Sequence, residues 1–190
     1  MQFWSLDIEK QIGERVQTVL RDPQLLRAYE RFGADILRRS SVFHGLDRFL
    51  SEAGVRGRRC FEVGTWNGLT AAVLSRYFDE VVSVDIVDQP LKHDVLAHLE
   101  VSNVICCVVA SNADKAKVWK RFGGNFDGAY LDGDHANDTE TDFALVRECG
   151  RVLFHEVWPF QPPVWNLVHS LPRDEVTFGG VGLALWEQRA

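Results

Sequence analysis

Five acidic or imidazole side chains fall in two short runs far apart in the chain: Asp132, Asp134 and His135, and then His155 and Glu156. That mixture can do two kinds of chemistry. An imidazole poised near neutral pH can take a proton from a hydroxyl, and grouped carboxylates repel unless they share a proton or a divalent cation. A second pair of acids suits another task. Glu62 precedes Val63-Gly64-Thr65-Trp66-Asn67-Gly68, and Asp85 comes 23 positions later. Glycine lets a ligand approach the backbone of a tight turn. Beside such a turn, one carboxylate can pair with a cationic amino group and the other can accept both hydroxyls of a ribose.

The elements that must position these groups follow from the pattern around them. From Arg59 on, short β-rich runs alternate with helical stretches, as in βαβ units with a parallel sheet. Strands are predicted at 60–63, 81–85, 104–109, 126–131 and 152–155, with an antiparallel pair at 175–178 and 182–186 joined around 179–181. This is a doubly wound, mostly parallel, seven-stranded α/β sheet. Glu62 and Asp85 then end the first two strands, and the other two runs end the fourth and fifth. Ligands sit beyond the carboxyl ends of such strands, so all these groups should face one cleft.

A helix is predicted at 69–78, after the first turn. Residues 1–58 read as a helical preface to a core at 59–190, the whole forming one domain. One apolar stripe joins Ile8, Ile12, Val16, Val19 and Leu20; another joins Leu25, Tyr29, Phe32 and Ile36. Asp22-Pro23 is a helix cap followed by proline at the first helical position. A third helix is expected over 41–53, with Gly54 as its stop.

At 190 residues and 46% hydrophobic content the chain can bury one sizeable core. Residues 1–60 carry 11 Lys/Arg against 8 Asp/Glu and the remainder 10 against 19, so the body is acidic and a nucleic-acid partner is not expected. No apolar run nears the roughly 20 residues that cross a bilayer, and no secretory signal opens the sequence, so no membrane partner and a cytoplasmic location are expected. Cys60, Cys106, Cys107 and Cys149 lack CxxC spacing and read as reduced thiols, with Cys106 and Cys107 on opposite faces of a strand. Trp158, Phe160 and Trp165 read as an aromatic loop or acceptor wall. Arg56, Arg58 and Arg59 read as a solvated loop, and His44 as an ordinary residue of the preface.

One carboxylate for an ammonium and another for a ribose describe S-adenosylmethionine. A nicotinamide site would normally carry GxGxxG, whereas here only Gly64 and Gly68 are present, with Trp66 between. The run EVGTWNGLTAAVLSRYFDEVVSVD resembles the first two motifs of class I S-adenosylmethionine-dependent methyltransferases. Leu131 to His135 (LDGDH), Asp142, and Phe154 to Glu156 (FHE) resemble the small-molecule O-methyltransferase and cephalosporin hydroxylase-like group, over residues 60–188.

The resemblance implies cofactor contacts from Glu62, Gly64, Thr65, Trp66, Asn67, Gly68, Asp85, Ile86 and Asp132, with Ser111 and Asn112 at the adenine. It also implies a magnesium ion at Asp132, Asp134 and Glu156. Glu156 stands where the group usually has Asp, Ala136-Asn137 where Ser-Tyr is common, and Arg151 where a second glycine follows Gly150. The expected function is O-methylation of a small hydroxylated molecule, with Asp132 in the catalytic machinery and His135 or His155 as base. Two alternatives stay open: a catalytically silent S-adenosylmethionine-binding protein, and a nucleotide-dependent oxidoreductase.

Overall fold

The computed structural model describes residues 21–38, 40–179 and 182–189. The first predicted stripe, Ile8 to Leu20, and most of the turn at 179–181 lie outside them. The preface begins with α1 (Pro23–Phe32), whose first amides are capped by Asp22: its Oδ1 accepts from Gln24 N and Leu25 N. A short α2 (Ala34–Arg38) follows. The helix expected over 41–53 is broken in two. Ser41–His44 is a single 3₁₀ turn, Gly45 adopts the left-handed conformation (φ 86°, ψ 28°), and α3 (Leu46–Glu52) starts afresh. Glycine reaches that conformation without a Cβ penalty, which is why the chain turns there.

The core runs β1 (Gly57–Val63), α4 (Leu69–Leu74), β2 (Phe78–Asp85), α5 (Leu91–His98), β3 (Val104–Val108), α6 (Asn112–Arg121), β4 (Gly128–Leu131), α7 (Thr139–Val146), β5 (Arg151–Phe154), α8 (Pro162–Ser170), β6 (Val176–Gly179) and β7 (Leu183–Glu187). The helix after β1 stops at Leu74, short of the predicted Phe78. Phe78 instead opens β2, paired with Gly57, and its ring fills the space that a side chain on Gly57 or Gly128 would need.

The seven strands are ordered β3-β2-β1-β4-β5-β7-β6, with β7 antiparallel to both neighbours. The strand order reverses between β1 and β4, the switch point where doubly wound sheets open a ligand crevice. Leu25, Ile36, Leu46 and Leu50 of the preface share one apolar cluster with Cys60, Leu69, Tyr130 and Leu153. The opposite face of the sheet packs Phe61, Val63, Trp119 and Phe126. Cys106 packs against the first cluster and Cys107 against the second, as strand alternation requires, and all four cysteines are free.

Candidate active site

Three backbone bonds carry the sheet past its carboxyl ends and fix the site. Gly64 N donates to Val84 O, Asp132 N to Val63 O and His155 N to Leu131 O, at 2.8, 2.8 and 3.1 Å. Turns from three neighbouring strands are thereby brought side by side. A Cβ on Gly64 would lie 2.1 Å from the Asp132 carbonyl, so this glycine makes room first for the neighbouring chain. Above them opens a cleft of about 500 Å³, lined among others by Gly64, Thr65, Trp66, Asn67, Asp85, Ile86, Asn112, Asp132, Asp134, His155 and Glu156.

At one end, Asp85 braces the glycine turn. Its Oδ2 accepts from Trp66 N at 2.8 Å and its Oδ1 from Val87 N at 2.9 Å, which stabilises Trp66 at φ 44°. Both oxygens keep lone pairs for a ligand. Asn67 lines the cleft yet also ties elements together, donating to Ile36 O and capping Leu69 N.

Glu62 sits one residue below the lining and is fully buried. Ser83 Oγ donates to its Oε2, while Oε1 has no hydrogen-bond partner among the described residues. Burial, reinforced by the charges of Asp132 and Asp85 and only partly offset by Ser83, pushes this carboxyl up to about 8. Asn112 Oδ1, at the mouth of α6, is likewise buried without a partner. Ser111 bonds Asp114 and lies outside the lining, and Gly68 starts α4 against the backbone of Lys92.

At the other end, imidazoles gather on one carboxylate. His155 Nδ1 lies 2.6 Å and His135 Nε2 3.3 Å from Asp132 Oδ1. Burial would raise the Asp132 carboxyl, but His155 and His135 outweigh it and hold it at about 2. His135 is raised in turn, because Asp132 and Glu156 overcome the desolvation that opposes its charge. Glu156, at φ 56°, keeps Oε2 3.7 Å from His135 Nε2 and accepts from Gln161.

No protein-family model and no curated protein matches the sequence. Solved structures do match in three dimensions. An O-methyltransferase from Bacillus cereus in complex with S-adenosylhomocysteine (SAH) superposes with TM-score 0.60 at 14% identity, covering 94% of this chain and 91% of that one. An rRNA methylase from Streptococcus thermophilus gives 0.58 at 14%, over 77% and 96%. The MycE methyltransferase of the mycinamycin pathway, in complex with Mg and SAH, gives 0.52 at 17%, over 80% and 48%. The chain has a methyltransferase fold.

In this methyltransferase fold the donors present suit S-adenosylmethionine better than magnesium. Glu62 Oε1 and Asn112 Oδ1 are buried acceptors lacking partners, one beneath the glycine turn and one at the adenine end expected from the sequence. The carboxylates expected to hold magnesium, Asp132, Asp134 and Glu156, line one cleft, but they are not the set whose ligand atoms converge. Asp134 is exposed and its oxygens accept from Ala136 N and Asn137 Nδ2 of its own loop. Asp132, His135 and His155 do converge, with ligand atoms all within 4.8 Å of one another. That set has two nitrogens and one oxygen, whereas magnesium prefers oxygen ligands.

Two participants escaped the sequence reading. His44, read as ordinary, lines the cleft with its Nδ1 2.5 Å from His155 Nε2. Lys115 also lines the cleft, and its Nζ reaches both oxygens of the buried Asp142 at 2.8 Å. Neither carries a local signal, since each acts on a residue far away in sequence.

Proposed function

We propose that this chain is an S-adenosylmethionine-dependent methyltransferase that methylates a hydroxyl of a small molecule. The observation that carries the reading is the pairing, in and just beneath one cleft of a methyltransferase fold, of unpartnered buried oxygens with an imidazole cluster held on an ionised Asp132. Glu62 would face the cofactor's ammonium, Asp85 its ribose and Asn112 its adenine, while Ile86 and Trp66 flank it. Bound there, S-adenosylmethionine supplies an electrophilic methyl group on a sulfonium.

What the chain contributes is position and proton removal. Asp132 orients the imidazoles, and the acceptor proton leaves to them. His155 lines the cleft and His135 lies outside the lining, which favours His155 of the two expected bases. A small acceptor is supported by charge: among the described residues Asp85, Asp132, Asp134, Asp138 and Glu156 line the cleft, and the lysine there, Lys115, is already paired with Asp142. A polyanion would meet net repulsion there.

Calorimetric titration with SAH and with NAD tests the cofactor, with SAH expected to bind and NAD not. Mass spectrometry of a panel of hydroxylated small molecules and of RNA, each with S-adenosylmethionine, then tests the acceptor. Preference for NAD would overturn the reading, and methylated RNA alone would overturn the small acceptor.

A further inference from the structure

We infer that Asp132, His135 and His155, with Glu156 beside them, form a site for zinc or a like borderline divalent cation, and that the ion silences the imidazole base. The site stands on its own geometry; its effect on turnover rests on the methyl-transfer reading above.

Two adjacent strand ends deliver the ligands. Leu131 and Phe154 are paired in the parallel β4–β5 ladder, so Asp132 and His155 leave the sheet side by side. His135 comes from the same turn as Asp132, and Thr139 Oγ1 donates to its carbonyl at 3.1 Å, tying the turn to α7. Among the described residues, this is the one group of histidine, cysteine and acidic side chains whose ligand atoms converge, all within 4.8 Å of one another. Asp132 Oδ1 is 2.6 Å from His155 Nδ1 and 3.3 Å from His135 Nε2. Ligand atoms on one tetrahedral zinc, with bonds of about 2.0–2.1 Å, stand about 3.3 Å apart, so closing the set on an ion takes side-chain shifts of about 1 Å. Glu156 Oε2, 3.7 Å from His135 Nε2, supplies a fourth donor.

The donor atoms choose the ion. Two imidazole nitrogens and two carboxylate oxygens suit zinc, whereas magnesium takes an oxygen shell and keeps several of its waters. The oxygens of Asp134, which magnesium would need, accept from their own loop instead. His155 Nε2 lies 2.5 Å from His44 Nδ1, a contact at the far nitrogen of the kind that fixes the ring plane of metal-bound histidines.

Zinc and the acceptor proton compete for the same lone pairs. Binding displaces to solvent the proton held between His155 Nδ1 and Asp132 Oδ1. A neutral imidazole has one lone pair; once that pair is on zinc, the other ring nitrogen carries the proton and none can be taken from a hydroxyl. Zinc bound through His135 and His155 therefore occupies both expected bases. Four protein donors also close its shell, so no open position remains to activate the acceptor oxygen.

Calorimetric titration of the metal-free full chain with zinc, cobalt(II) and magnesium tests the site without cofactor or acceptor. Zinc should bind at least about 100-fold more tightly than magnesium, and cobalt should show the visible d–d bands of a four-coordinate ion. In the ¹⁵N-labelled chain, zinc should shift His135 Nε2 and His155 Nδ1. His135→Gln should weaken zinc by more than about 10-fold, while Asp134→Ala should leave its affinity unchanged. Equal affinity for magnesium, or zinc binding that survives His135→Gln without those shifts, would overturn the site. On any acceptor identified above, one equivalent of zinc should lower kcat by about 10-fold or more and EDTA should restore it. Full turnover of the zinc-loaded chain, or turnover that requires zinc, would overturn the silencing. Failure of wild type to bind SAH would instead defeat the methyltransferase reading and leave the zinc result standing.

Discussion

Glu62, fully buried, and Asp132, half-buried, are carboxyls at the ends of adjacent strands, and the protein treats them in opposite ways. β1 pairs with β4 so that Glu62 faces Tyr130 and Val63 faces Leu131, which puts Asp132 two positions nearer the cleft than Glu62. Burial raises both. Around Glu62 only the Ser83 hydroxyl favours the charge, and the carboxyl sits at about 8, so it stays largely protonated at neutral pH. Around Asp132 the His155 and His135 rings supply that charge partner, and the carboxyl sits at about 2. One end of the cleft awaits its charge partner from a ligand; the other has its partners, the imidazoles of His155 and His135, built into the chain. The difference separates a binding end from a chemical end within a single cleft.

The largest expected effect comes from removing the anchored charge. Asp132→Asn should lower turnover by about 100-fold to 10,000-fold, since the imidazoles lose both orientation and counter-charge. Its folded carboxyl lies below the usual 3.8, so its contribution to stability is present above 3.8 and lost as pH falls through about 2. Denaturant unfolding of the variant between those values should therefore show a flatter pH dependence than wild type. A variant that turns over normally would show that the chemical end lies elsewhere.

At the binding end, Asp85→Ala should weaken SAH binding by roughly 1 to 3 kcal/mol through two lost charge-assisted ribose bonds. Calorimetry reads this directly, and an unchanged affinity in the folded variant would take Asp85 out of the cofactor's contacts. The comparison is sharpened further by Glu62→Gln, for which a loss of about tenfold in SAH affinity is expected. A cation arriving at Oε1 should ionise Glu62, so wild type should release a proton on binding SAH near pH 7 and the variant should not. Titrations in buffers of different ionisation enthalpy measure that proton, and its absence in wild type would mean that Glu62 meets no ammonium. The sign for stability is the reverse of that for Asp132. The Glu62 contribution is fully present below 4.5 and is lost as pH rises through about 8, a slope that Glu62→Gln should abolish.

The smallest effect belongs to Asp134, whose carboxylate is occupied by its own loop. Asp134→Ala should shift stability and SAH affinity by no more than about 0.5 kcal/mol, as for other surface substitutions, and EDTA should leave turnover unchanged. Abolished turnover in the variant together with magnesium rescue of chelated wild type would restore the carboxylate ion site.

The sequence by itself determined the order of strands and helices, the antiparallel close of the sheet, and the placing of Asp85, Asp132 and His155 at strand ends. These features are local: periodicity, glycine turns and strand-end acids are written within a few residues of one another, and the rule that ligands gather at strand carboxyl ends does the rest. Element boundaries moved where a long-range contact intervened. Phe78 joined β2 because its ring fills the gap over Gly57 and Gly128, and the helix at 41–53 broke where Gly45 turns the chain.

Only the tertiary structure decided that Glu62 lies below the lining, that Asp134 turns back on its loop, and that His44 reaches His155 across 111 positions of sequence. The same is true of Lys115 and Asp142. Whether an ionisable group is charged, shared or sealed away depends on which distant partner desolvates or neutralises it, and that information exists only once the chain is packed.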